Sequence, residues 1–168
     1  MNIRFKLTAG LYRSIRKDLG RRHSFAAERV GFVACRVGSS LGGILIVAHD
    51  YYAVQDDHYI DTDAAGAMIS SDAIRSALQH ALTHKVSMFH VHEHGGAGPP
   101  NPSSTDTREW ANFVPNFWNV QPHIPHGAVI LSQDSATGFC WVPGRTRPIE
   151  IAEFSVIDIP LQIWRRAQ

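Results

Sequence analysis

Apolar residues recur along this chain with two periods, and the places where the period changes mark its elements. Near the start, Ile3, Phe5 and Leu7 alternate with polar neighbours, the two-residue repeat of a strand with one buried face. The repeat then lengthens. Leu11, Ile15 and Leu19 fall on one helical stripe behind Thr8, a good N-cap, with Gly20 placed to end the helix. Two β-branched runs follow, Arg29 to Val37 and Gly43 to Val54, and "GSSLGG" between them predicts an antiparallel hairpin. "HYIDTD" and "AGAMIS" predict short extended pieces around acidic loops. From Ser71 to His84 the residues Ile74, Ala77, Leu78, Ala81 and Leu82 give the clearest helical spacing in the chain.

Downstream, "KVSMFHVHEH" reads as a strand and "HGGAGPPNP" as a loop; Ser103 opens a helix that buries Trp110, Phe113 and Val114. "GAVILSQDSATGFCWV" predicts a second hairpin turning near Asp134 to Thr137. In "IEIAEFSVIDI" the alternation changes phase near Ala152, which predicts a bulge. The sum is an α/β, sandwich-like arrangement in a single domain over residues 1–168, a mixed, mostly antiparallel β-sheet flanked by helices.

Composition narrows the function more than the fold. Sixteen basic residues balance fifteen acidic ones, so neither a nucleic-acid face nor an acidic-membrane partner is expected. Cys35 and Cys140 are too few for a disulfide framework and read as apolar strand fillers. "MNIRFKLTAG" lacks the apolar core of a secretory signal, and "GGILIVA" is too short to span a bilayer, so a soluble, cytoplasmic protein is expected. The outlier is histidine: ten in all, five of them between His80 and His94.

Strand residues two apart share a face, so His92 and His94 can converge on one ion. Imidazole suits zinc, and a carboxylate completes a three-ligand catalytic site with one position open to water. Asp106 supplies that carboxylate if the Gly/Pro loop folds back, and Ser103 then lies one helical turn from it. The chemistry still needs a general base, commonly a glutamate. A plainer account competes: Ser103-x-x-Asp106 also fits a capping box that only satisfies the first N–H groups of a helix. His123 and His126 in "PHIPHG" form a weaker candidate pair, better read as part of a rigid loop. The acidic "DDHYIDTD" lacks a calcium-loop pattern and reads as solvated. Phe117 and Trp118 read as exposed, packing a helix end or offering a partner surface.

"HEHGGAGPPNPSSTD" resembles the signature of the JAMM metalloproteases, whose catalytic module is the MPN or JAB domain: His-x-His, a Gly/Pro-rich loop, then Ser-x-x-Asp. The family places a glutamate far upstream near a strand start, and "HSFAAERVGFVACRV" offers Glu28 there. The likeness covers about residues 9 to 145. It departs in enclosing eight residues between His94 and Ser103 where seven are common, and in carrying Gly95 where proline is usual. The resemblance implies a JAB/MPN-like fold and one catalytic Zn2+ held by His92, His94 and Asp106. It implies Glu28 as the base that handles the water's proton, and Ser103 as a hydrogen-bond donor to the developing oxyanion. His90 becomes a flanking group that is solvent-facing or hydrogen-bonded.

The implied activity is cleavage after the C-terminal glycine of a ubiquitin-like protein, from a conjugate or a precursor. Similar short bacterial domains sit in operons with a ubiquitin-like protein and its activating and conjugating enzymes, some of them antiviral. Two alternatives stand beside it: a zinc peptidase acting on a sulfur-carrier adduct or a phage-tail or cell-wall peptide, and a non-catalytic MPN scaffold. Scaffold members typically lack the ligand set that is complete here.

Overall fold

The structure, a computed structural model, describes residues 1–22, 26–40, 42–61 and 66–165. Its strands are β1 (Asn2–Thr8), β2 (Val30–Ser40), β3 (Gly43–Ala53), β4 (Ser87–Glu93), β5 (His126–Leu131), β6 (Ala136–Trp141), β7 (Ile149–Glu150), β8 (Glu153–Ile157) and β9 (Gln162–Arg165). Its α-helices are α1 (Ala9–Leu19), α2 (Ser71–His84) and α3 (Ser104–Phe113), the last running on into a 3-10 turn at Val114–Asn119. The described strands form one sheet in the order β7-β6-β5-β4-β2-β3-β1-β8-β9. Pairing is parallel for β1 with β3, β1 with β8 and β4 with β5, and antiparallel for the other five neighbours. The molecule is therefore mixed α/β with a mostly antiparallel sheet.

The phase change at Ala152 is not a bulge. Ile151 N–H donates to Gly138 O on β6 (2.8 Å), and the next residue, Ala152, donates to Ile3 O on β1 (2.9 Å). Consecutive residues thus bond strands from opposite halves of the order, and the sheet curls to allow it. Side chains inside the curl form one core with α1: Ile3, Phe5, Val33, Phe89, Val91, Val129 and Phe154 pack with Ile15 and Leu19. The Phe5 ring lies 5.2 Å from Phe89 and 5.6 Å from Phe154. On the outer face, Phe32, Ala34 and Met88 meet Ala73, Ala77 and Ala81 of α2, while Ala128 and Ile130 meet Trp110 and Val114.

The helix starts were legible. Thr8 Oγ1 accepts from Leu11 N–H, and Ser70 caps α2 through Ala73 N–H. The ends differ: Gly20 stays right-handed at φ −77°, whereas Lys85 takes the left-handed conformation that closes α2. The buried stripe of α2 is alanine, which brings the helix close to the sheet, and Leu82 is about half exposed. Phe117, expected on the surface, is buried; Trp118 is half-buried and donates its indole N–H to Ile124 O (3.2 Å). The second hairpin turns at Ser132 to Ser135, because Thr137 already pairs with Ile130. Among the described residues, the expected extended pieces after β3 form a 3-10 turn at Asp56–His58 and a bridge, Tyr59 to Ile69. Leu41, Thr62, Asp63 and Ala65 from those predicted segments lie outside the described residues. Cys35 and Cys140 are buried and unpaired, and burial pushes the Cys140 thiol up to about 12. No helix among the described residues is long and apolar enough to cross a membrane.

Candidate metal centre

Alternation along β4 sets which side chains reach the site. Phe89 and Val91 point into the curled core, so His90 and His92 project to the outer face beneath α3. β4 pairs antiparallel with β2, with Val30 opposite His92 and Phe32 opposite His90. Continued two residues outward, that register sets Glu28 across from His94. A carboxylate oxygen of Glu28 and a ring nitrogen each of His92 and His94 all lie within 4.8 Å of one another. Sixty-four positions separate Glu28 from His92, and one strand pairing closes that distance.

The loop after β4 brings in the fourth group. Gly96 and Gly98 have φ of 99° and 80°, a conformation costly for any residue with a Cβ. The turn between β5 and β6 holds this loop: Gly98 N–H donates to Asp134 Oδ1 (2.6 Å), Gln133 N–H to Gly96 O (3.0 Å) and the Ser132 hydroxyl to Gly98 O (2.7 Å). The chain then enters α3 through a complete capping box. Asp106 N–H donates to Ser103 Oγ (3.0 Å), while Ser103 N–H and its hydroxyl donate to Asp106 Oδ2 (2.7 Å each). That leaves Asp106 Oδ1 facing His92 Nε2 at 3.3 Å, and Oδ2 lies 3.4 Å from His94 Nε2. Capping and convergence on the histidines occur together.

The two imidazole Nε2 atoms stand 3.0 Å apart. Zinc–ligand bonds of about 2.0–2.2 Å place neighbouring atoms of a tetrahedron about 3.3–3.6 Å apart. The two imidazoles stand somewhat closer than such an edge, at 3.0 Å, and each approaches its own oxygen of Asp106, His92 reaching Oδ1 at 3.3 Å and His94 reaching Oδ2 at 3.4 Å. Polar atoms this close need a proton or a cation between them, and two imidazoles with a carboxylate are donors that suit a small dication. Burial tends to raise the Asp106 carboxyl, but hydrogen bonds from the His92 ring and Ser103 outweigh it and hold the group well below the usual carboxylate range. Asp106 is thus an anion, as a ligand must be. His92 Nδ1 is buried with no hydrogen-bond partner among the described residues.

His90 is neither solvent-facing nor in the ligand cluster. It is buried between Phe32 and Phe113, and its Nδ1 accepts from the Trp110 indole N–H (3.3 Å). Burial, aided by the nearby His92 ring, pushes its pKa down to about 3, so the ring is neutral. This bond ties α3 to β4. His126 also serves the framework: Nδ1 accepts from Met88 N–H (3.1 Å), which leaves Nε2–H to donate to Gln121 O (3.2 Å). Both of its nitrogens are engaged, so the His123/His126 pair offers no chelate. Asp56 of the acidic run pairs with Arg29 at 2.8 Å.

Two contributors had no signal in the sequence. Gly66 O accepts from Glu28 N–H (2.9 Å), and a Cβ on Gly66 would fall 2.8 Å from the Glu28 carboxylate. Arg16 of α1 reaches Glu93, between the two ligand candidates, at 3.2 Å and also donates to Ser132 O. It braces the opposite face of the β4 end. The chain matches no protein-family model, and no curated protein sequence matches it.

Proposed function

We propose that the protein is a zinc-dependent peptidase of the JAMM type, with a JAB/MPN-like fold, that cleaves an isopeptide or peptide bond after the C-terminal glycine of a ubiquitin-like protein. The observation that carries this reading is the convergence of Glu28, His92, His94 and Asp106 from three separate segments, with Ser103 alongside. His92, His94 and Asp106 would hold the ion. Zinc at such a position lowers the pKa of water toward neutrality and polarises a carbonyl. Glu28 belongs to the same cluster but comes from the β2 side, placed to accept a proton from the attacking water and deliver it to the leaving amine. Ser103 keeps its backbone N–H on Asp106 while its hydroxyl turns to donate to the developing oxyanion. The complete ligand set favours catalysis over a scaffold role.

The test is metal analysis combined with cleavage of a ubiquitin-like fusion. Wild type is expected to retain one zinc per chain and His92→Ala little. Glu28→Gln is expected to retain zinc and lose turnover by about 10²–10⁴-fold. A wild-type protein that never binds zinc ends the reading, and full activity in Glu28→Gln removes that residue from the mechanism.

A further inference from the structure

On the far side of Trp110 from the metal ligands lies a cleft of about 360 Å³ that the chemistry above does not use. Its walls are aromatic: Trp110 and Trp118 from α3 and its 3-10 extension, Phe139 and Trp141 from β6, and Pro148 from the loop that follows. Trp110 is the partition. Its ring lies 5.8 Å from that of His92 on one side and 6.1 Å from Phe139 on the other. Trp118 is pinned through its indole N–H, so this wall is preformed. Arg145 lines the rim from an exposed loop and has no acidic partner among the described residues. A preformed apolar hollow of this size is in the range that encloses one or two large side chains. The Arg145 guanidinium at its edge selects negative charge.

We propose that this cleft docks the polypeptide substrate, taking a large apolar or aromatic side chain that is flanked by carboxylates. The proposal rests on the peptidase reading for calling that polypeptide a substrate. Charge complementarity at the rim and the single indole between cleft and metal ligands argue for a chain that continues toward the scissile bond.

Binding is tested on the full chain without reference to turnover, so that failure of the cleft and failure of the catalytic reading are separable. The probes are the capped peptide acetyl-Glu-Glu-Phe-Glu-Glu-amide and two controls, one with lysines in place of the glutamates and one with alanine in place of the phenylalanine. The readout is the indole N–H signals of the four tryptophans in a proton–nitrogen correlation spectrum. Trp141 and Trp118 are expected to shift with the acidic aromatic peptide, and Trp164, which packs on Tyr12 beside α1, is the internal reference that stays fixed. Both controls are expected to bind at least about tenfold more weakly. Ala111→Phe, at an exposed helix position lining the cleft, is expected to abolish the shifts while the rest of the spectrum stays folded. Arg145→Glu is expected to reverse the preference toward the lysine peptide. Equal binding of the alanine peptide, shifts that persist in Ala111→Phe, or shifts of Trp164 matching those of Trp141 would overturn the proposal.

Discussion

Glu28 has its position dictated by a residue with no side chain at all. Gly66 lies beside the Glu28 carboxylate, where an added Cβ would sit 2.8 Å from it, and the Gly66 carbonyl accepts from the Glu28 backbone N–H. Gly66→Ala is therefore expected to turn the carboxylate away from the imidazoles. Turnover should fall by about 10²-fold, since misplacement by an ångström costs roughly that much, while zinc content stays that of wild type. Unchanged turnover would show that the carboxylate tolerates the shift. The sequence disclosed Glu28 only through its likeness to a motif, and disclosed Gly66 not at all, because the contact depends on how the chain after β3 folds back. His90 was visible as part of the cluster, but its spacing cannot tell a ligand from a core residue. The Trp110 N–H and the rings of Phe32 and Phe113 decide that.

At the level of elements, α3 is the part that combines two functions. Its capping box orders the first turn and at the same time turns Asp106 toward His92 and His94. Ser103→Ala removes one cap acceptor, worth about 1 kcal/mol of stability, and the proposed oxyanion donor, worth about 10²–10³-fold in kcat. A small drop in Tm with a far larger loss of kcat is the expected pattern. Equal, modest losses in both would reduce Ser103 to a cap. Strands and helices here were readable because their periods are local properties of the chain. The turn of the second hairpin was displaced because the pairing of Thr137 with Ile130 is decided across the sheet, not within the turn.

Across the whole molecule, the curl is the property least accessible from the sequence. A phase change looks the same whether a strand bulges or passes from one partner to another, and only the partners of Ile151 and Ala152 distinguish them. Phe154 sits at that seam, buried against the Phe5 ring, and its ring closes on Gly138 of β6. Phe154→Ala is expected to cost about 3–5 kcal/mol, read as a lower urea midpoint for the entire molecule. Loss of β8 alone, with the remaining strands still cooperative, would show that the seam is an appendage.

The pairing of Val30 with His92 has a further meaning for how such a protein comes into being. Because strand faces alternate, a slip of one residue between β2 and β4 would carry Glu28 to the opposite face from the imidazoles. Each part of the centre taken alone, a glutamate, two histidines or a capped aspartate, is inert. The cluster forms only when strands distant in sequence meet in one alignment. On the proposed reading a partly folded or misaligned copy would be silent, and the alignment of β2 with β4 would act as the safety catch.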